Sequence, residues 1–255
     1  MPAAAGALAA LMLAAWLLSL RLRDVSIVDP VWGLGFVLVT WIACGLGGGD
    51  EGRRLLLALL TTGWGLRLAI HLAVRKLREP GEDFRYARMR EGHGSGFAAR
   101  SLISIFGLQG ATLWIVSLPL QGGATGEASL GALDVIGAGV WAVGLAFEAI
   151  GDWQLARFRT DPANSGAVMD AGLWRYTRHP NYFGDFTVWW GLYLIALAGG
   201  AWWSVAGPLV MSLLLTRVSG KELLERSLRN RRPDYNAYVA RTSGFFPLPP
   251  RRGLD

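Results

Sequence analysis

Ionisable and amide side chains interrupt long apolar stretches of this chain, and their spacing sorts them into groups. Asp29 lies near the start of one such stretch. Arg67 and His71 are four residues apart, which puts them on one face of a helix. Glu148 and Asp152 repeat that spacing, and Arg159 follows seven residues after Asp152. Asn181, Asp185 and Trp189 again step by four. Charge inside hydrocarbon is expensive, so each of these is a functional-site candidate. The alternative for any one of them is an interhelical ion pair that sets register, such as Asp29 with Arg67 or Glu148 with an arginine. A pair needs one partner each, however, and does not require so many groups biased towards cations.

The densest run is 172–185, from Gly172 to Asp185. Pro180 and Asn181 suit the first positions of a helix. Free backbone N–H groups there favour an anion, and Arg175, Arg178 and His179 add positive charge. This is the chemistry of a phosphate site, unless the cations only face lipid headgroups. The tail repeats it in Arg231-Arg232-Pro233-Asp234-Tyr235, Tyr238 and Arg241. Two aromatics flanked by guanidiniums can hold a nucleotide's base and phosphates, or they can anchor at a membrane surface.

What must position these residues is a set of apolar helices. The chain has 255 residues, 52% of them apolar and only 17% charged, which excludes a disordered chain. Its single cysteine, Cys44, excludes an intramolecular disulfide, and three scattered histidines argue against a metal site. Seven stretches approach the ~20 residues needed to cross a bilayer. They fall near 3–20, 26–47, 55–74, 102–121, 130–151, 183–199 and 201–217. The first has no cation before it and Arg21 and Arg23 after it, the reverse of a cleaved signal peptide. If the spans alternate, 22 of the 25 Lys+Arg fall in inside loops and only Arg53 and Arg54 in outside ones. The expectation is an all-α integral membrane protein of about seven transmembrane helices forming one domain over 1–255. Its N-terminus lies outside and its C-terminus is cytoplasmic. The membrane accounts for the net charge of +6 without nucleic acid. On this topology the buried charges share one polar cavity open to the cytoplasm. The terminal stretch Phe245-Phe246-Pro247-Leu248-Pro249-Pro250 cannot be a regular helix.

The run Gly172-Leu173-Trp174-Arg175-Tyr176-Thr177-Arg178-His179-Pro180-Asn181-Tyr182-Phe183-Gly184-Asp185 resembles the C-terminal signature of the steroid 5α-reductase superfamily. In particular it resembles the bacterial branch of steroid-reductase-like membrane proteins. Glu148, Asp152 and Arg159 resemble that family's cofactor-contacting helix, and 232–247 resembles its tail. The resemblance is specific over about 140–250. It implies about seven transmembrane helices, NADPH in a cytoplasm-facing cavity, and reduction of the carbon–carbon double bond of an enone lipid, a 3-oxo-Δ4 steroid being one candidate. Carried over by position, it makes Glu148, Asp152, Arg159, Arg175, His179, Asn181, Tyr182, Asp185, Trp189, Tyr235, Tyr238 and Arg241 cofactor contacts. Arg67 and Arg78, eleven apart, match the spacing of two cofactor-facing arginines, and Asp29 falls where the family has a catalytic Glu. Two positions depart from the pattern. Val28-Asp29 stands where the steroid enzymes have Gln-Glu, and Trp64 where they have a Tyr. Tyr86 is the candidate to supply the missing phenol, or else it anchors a loop at the interface.

The implied chemistry builds negative charge on the enone oxygen, which a nearby acid must stabilise. Asp29 would do so only as the neutral acid. The arginine surplus favours NADPH over NADH. Two other classes compete. One is an S-adenosylmethionine-dependent membrane methyltransferase of the isoprenylcysteine or phospholipid type, which also carries Arg-His-Pro where a helix begins. The other is a non-enzymatic lipid carrier or transporter, although a one-sided polar cluster does not make a translocation path. The substrate is expected from the bilayer, without an obligate protein partner. A composition rich in Ala, Gly and Arg points to a bacterial inner membrane.

Overall fold

The computed structural model describes residues 1–79, 81–218, 225 and 234–251; Pro80 and the Arg231-Arg232-Pro233 stretch lie outside them. Among the described residues every regular element is helical, so the all-α class holds. The chain divides into two compact units. One is Met1–Asp134 with Ile195–Gly207, and the other is Val135–Leu194 with Pro208–Asp255.

The first unit opens with α1 (Pro2–Leu22), almost wholly apolar, with Pro2 where its missing N–H is not needed. The chain leaves α1 through Arg23 in the left-handed region, φ 54°. Asp24 then accepts the Ser26 N–H at 2.9 Å and starts a short 3-10 turn that runs into α2 (Val28–Leu46). Helix α3 (Glu51–Arg78) begins at Asp50, whose carboxylate accepts the Arg53 N–H at 2.8 Å. The crossing of α2 and α3 is built on glycine. A Cβ on Gly65 would lie 2.7 Å from the Gly33 oxygen, and one on Gly33 would strike the Gly65 oxygen. Backbone contact of this kind is how membrane helices pack without a hydrophobic driving force. It also sets the height of Asp29, one turn before Gly33, against α3. Two short helices, α4 (Phe84–His93) and α6 (Leu118–Gly123), flank α5, which covers 97–116 with a π-helical stretch at Leu102–Gly107.

The arginines of the expected outer loops have structural work. Arg53 is fully buried at the far end of α3 and pairs with both oxygens of Asp134 at 2.9 and 3.0 Å. It also donates to the carbonyls of Ala128 at 2.5 Å and Ser129 at 3.3 Å. Arg54 closes the end of α2 by donating to the Cys44 and Gly47 carbonyls, both at 2.9 Å.

The second unit is organised around α7 (Ala132–Thr160) and α8 (Pro180–Ala198). Glycines recur every seven residues on both, at Gly137, Gly144 and Gly151 and at Gly184 and Gly191. A Cβ on Gly191 would lie 2.6 Å from the Trp141 nitrogen, and one on Gly144 2.5 Å from the Val188 nitrogen. A Cβ on Gly184 would lie 2.6 Å from the Gly144 oxygen, and Gly151 packs on Pro180. A seven-residue repeat keeps the same face turned to the neighbour along its length. Small residues at each contact bring α7 and α8 backbone to backbone. The remaining described helices are α9 (Ala206–Leu213), which continues as a π-helical turn Leu214–Val218, and α10 (Tyr235–Arg241).

Among the described residues, five helical stretches are long and apolar enough to cross a membrane: Pro2–Leu22, Val25–Leu46, Glu51–Arg78, Phe84–Val116 and Ala132–Thr160. Leu13, Leu17, Leu59, Ile70 and Val135 are exposed on them, as a lipid-facing surface requires. The chain is thus read as an integral membrane protein. The last two expected spans differ from these five. Helix α8 carries Asn181 and Asp185 in its first turns, which dilutes its apolar content. The stretch 201–217 is split into a 3-10 turn at Trp202–Val205, the eight residues of α9 and the π turn, so no single α-helix spans it.

Candidate functional site

Each unit holds a polar cluster. In the first unit it centres on Asp29 in the first turn of α2. Tyr86, in the first turn of α4, donates its hydroxyl hydrogen to Asp29 Oδ1 at 3.2 Å. Gln109 Nε2 donates to the Tyr86 oxygen at 3.2 Å, and the Gln109 carbonyl in turn accepts from the Trp32 indole. The Arg85 guanidinium lies 3.7 Å from Asp29 Oδ2. Tyr86 is buried, whereas the Asp29 side chain keeps 22% of its surface exposed. Tyr86 is therefore the middle member of an acid–phenol–amide chain.

The segment before α4 is clamped to the start of α2, and this clamp delivers Tyr86. Ser26 Oγ accepts the Asp83 N–H at 2.8 Å, and Glu82 Oε1 accepts the Val25 N–H at 2.9 Å. Arg90 grips both oxygens of Glu82 at 2.7 and 2.8 Å and lies 4.4 Å over the Phe97 ring. Lys76 pairs with Asp24 and donates to the Gly81 carbonyl. Asp83 caps α4 by accepting the Arg85 N–H at 2.9 Å and also accepts from the Arg85 side chain at 2.8 Å. Partial burial works to raise the three carboxyls, but these bonds win. Lys76 pulls Asp24 below the ordinary value, Arg90 does so for Glu82, and Arg85 for Asp83. Arg67 is half-buried on α3, and Arg78 is exposed on its last turn.

In the second unit the α7–α8 crossing brings Glu148 and Asp152 beside the start of α8. Asn181 donates from Nδ2 to Asp152 Oδ1 at 3.2 Å, while its Oδ1 accepts the Tyr182 N–H at 3.0 Å. Glu148, Asp152 and Trp189 are buried, and Asp185 and Tyr182 are half-buried. The His179 and Tyr182 rings stack, 5.4 Å apart and 5° from parallel.

The tail folds back over the residues that precede α8. Arg178, which is buried, reaches both oxygens of Glu225 at 3.0 and 3.2 Å and the Thr242 carbonyl at 2.6 Å. His179 Nε2 meets Glu225 Oε1 at 3.0 Å. A carboxylate only accepts, so that nitrogen carries the hydrogen. Burial works to raise the Glu225 carboxyl, but His179 and then Arg178 hold it down to about 2. Tyr235 and Tyr238 are buried, and the Tyr238 hydroxyl donates to the Trp174 carbonyl at 2.5 Å. Thr177 Oγ donates to the Phe245 carbonyl at 2.7 Å. The Tyr176 carbonyl accepts the Leu248 N–H at 3.0 Å. The proline-rich end is non-helical, as expected. Arg159, Arg175 and Arg241 are exposed, and Arg241 pairs with Asp170.

Of the residues singled out in the sequence, Asp29 and Tyr86 thus meet directly, as do Asn181 and Asp152. Gln109, Arg85 and Glu225 join these groups without having been singled out as site residues, whereas Arg178, read in the sequence as charge for a phosphate, is held by Glu225 and the Thr242 carbonyl. Gln109 is an amide in an apolar run, which is a usable signal. Glu225 sits among the cations of the tail, where nothing local marks it.

Residues 15–242 match the family described as "protein of unknown function (DUF1295)", and the chain belongs to that family. No curated protein and no solved structure matches it.

Proposed function

We propose that this member of the family is an NADPH-dependent membrane reductase that saturates the carbon–carbon double bond of an enone lipid. The observation that carries the reading is the chain from Gln109 through Tyr86 to Asp29. A buried phenol oriented by an amide donor, with a carboxyl behind it, suits a carbonyl oxygen that gains negative charge. A methyl transfer to a thiolate or amine has no use for such a donor.

NADPH, when bound, supplies the hydride to the β-carbon. Tyr86 turns its hydroxyl hydrogen to the substrate oxygen and gives that proton up as negative charge develops there, and tautomerisation of the resulting enol places a proton on the α-carbon and leaves the saturated ketone. Gln109 keeps its hydrogen bond to the phenol oxygen, so the ring stays oriented. Asp29, partly exposed, takes up a proton from water and restores the phenol.

The second unit suits a polar, phosphate-bearing cofactor. Asn181, Asp152, Glu148 and Asp185 offer donors and acceptors at the start of α8, with Tyr182 and Trp189 beside them. Arg159, Arg175 and Arg241 offer positive charge there, while Arg67 and Arg78 belong to the first unit. His179, Tyr235 and Tyr238 hold the tail against that surface. The inside bias of the cations supports an N-terminus outside, a cytoplasmic C-terminus and a cytoplasmic site. Composition supports a bacterial inner membrane.

The test is a product analysis. Membranes containing the protein are incubated with NADPH and an enone lipid pool that includes a 3-oxo-Δ4 steroid. A saturated ketone should form in step with NADPH oxidation, and Tyr86→Phe should slow it by about 100-fold or more. Transfer of a methyl group from S-adenosylmethionine to a lipid, without NADPH oxidation, would overturn the reading.

A further inference from the structure

Trp32 and Asp29 stand three residues apart on α2, hence on one face of it. From that face one run of hydrogen bonds leaves α2 and returns to it. The Trp32 indole N–H donates to the Gln109 side-chain oxygen on α5. Gln109 Nε2 donates to the Tyr86 oxygen on α4 at 3.2 Å, and the Tyr86 hydroxyl donates to Asp29 Oδ1 at 3.2 Å. The proposed reaction uses the last three groups and not Trp32.

The chemistry at the Trp32 end fixes the direction of the rest. An indole nitrogen carries a hydrogen and only donates. It therefore holds the oxygen of the Gln109 amide, and the NH2 group on the other arm of that amide is the one that faces Tyr86. The phenol oxygen accepts on that side, so its own hydrogen is left for Asp29 or for a substrate oxygen. Turned over, the amide would present its oxygen to the phenol and compete for the same hydrogen. The two orientations differ in what the phenol can do, and Trp32 selects one.

Both partners are held in place. The Trp32 ring lies edge-on to Phe36, with centroids 5.6 Å apart, and Phe36 packs on Trp64 of α3 at 5.5 Å. Phe36 and Trp64 are fully buried. Trp64, at the position where the steroid enzymes have a Tyr, thereby buttresses Trp32. On α5 the π-helical stretch Leu102–Gly107 ends just before Gln109. An extra residue in a turn rotates the side chains that follow by about 100° round the axis. Gln109 is the first polar one to follow.

We infer that Trp32 is a positioning residue of the reduction, holding the Gln109 amide in the orientation that keeps the Tyr86 hydrogen available to the substrate oxygen. This rests on the reductase reading and deepens it. When the phenol proton passes to the substrate oxygen, negative charge is left on the phenol oxygen. A Gln109 N–H that faces it stabilises that charge, and an amide oxygen in its place would oppose it. Trp32 acts only through Gln109.

The test is a double-mutant cycle on the full chain in detergent, with NADPH and the enone pool used above. Trp32→Phe keeps a ring against Phe36 and removes the donor. It should lower turnover about tenfold, the worth of one hydrogen bond to a charged oxygen, and leave the KM for NADPH within about twofold. In a Gln109→Leu background the same change should cost nothing further, whereas a merely structural ring gives additive losses. A second readout needs no reaction. With 15N-labelled indoles, one of the twelve tryptophan N–H signals should exchange slowly with solvent in the unaltered protein and fast in Gln109→Leu. That signal should be the one missing from Trp32→Phe. Gln109→Leu alone keeps the inference testable if Trp32→Phe does not fold, because it should lower turnover at least as far and release that indole hydrogen. Turnover of Trp32→Phe within about twofold of the unaltered protein, additive losses, or no indole released by Gln109→Leu overturns the inference and leaves the reductase reading standing. No saturated ketone from the unaltered protein overturns both.

Discussion

A phenol that donates to a carboxylate in one state and to substrate in another must be placed by something other than its own chain neighbours. For Tyr86 that is Gln109 on one side and Asp29 on the other. Asp29→Asn should therefore leave NADPH affinity within about twofold and lower turnover, because the amide cannot return a proton. Equal activity in the two proteins, measured under saturating cofactor, would remove Asp29 from the mechanism. Glu225 yields a different kind of prediction. Its carboxyl is held down to about 2, so its contribution to tail docking is complete above the ordinary value of 4.5 and is lost as pH falls from there towards 2. Proteolysis of the tail by an acid-active protease should rise over that window, and Glu225→Gln should make the tail accessible at neutral pH and flatten the profile. Asp29 was legible in the sequence because charge in an apolar run is rare. Glu225 was not, because its partners lie 46 and 47 residues away and only the folded tail brings them near.

At the scale of elements, glycine sets the distances. The α7–α8 crossing leaves no room at Gly184 and ample room at Gly139. Gly184→Val should force the helices apart, cost about 1–3 kcal/mol, and weaken cofactor binding by moving Glu148 and Asn181. Gly139→Ala meets nothing within 4 Å and should be neutral or slightly stabilising. Thermal melts of both variants in detergent check the pair. Similar losses in the two would mean that the close crossing has no energetic weight. The seven-residue glycine repeat was readable from spacing alone, yet a search for apolar blocks passes over it, since glycine barely changes mean hydropathy. The break of the last expected span did leave a trace in Pro208, which a helix accepts only in its first turn and which stands third in α9.

Across the whole molecule, the positive charge has three uses. On the proposed topology most cations would face the cytoplasm, on the proposed reading a few would hold phosphate, and the Arg53–Asp134 pair is a buried fastening. Arg53→Met would strand Asp134 and should destabilise the protein by about 3–5 kcal/mol, while Arg53→Met with Asp134→Leu should recover much of the loss. Unfolding in denaturant would show the difference, and equal losses would argue against the pair. Composition and hydropathy made the helical membrane class legible. They could not reveal two compact units, because that division lies in which helices touch. The central claim is that the chain is built for NADPH, and a thermal-shift comparison of the purified protein with NADPH and with S-adenosylmethionine tests it most directly. NADPH should raise the melting temperature, and Asn181→Ala should reduce the rise. Stabilisation by S-adenosylmethionine alone would contradict the account.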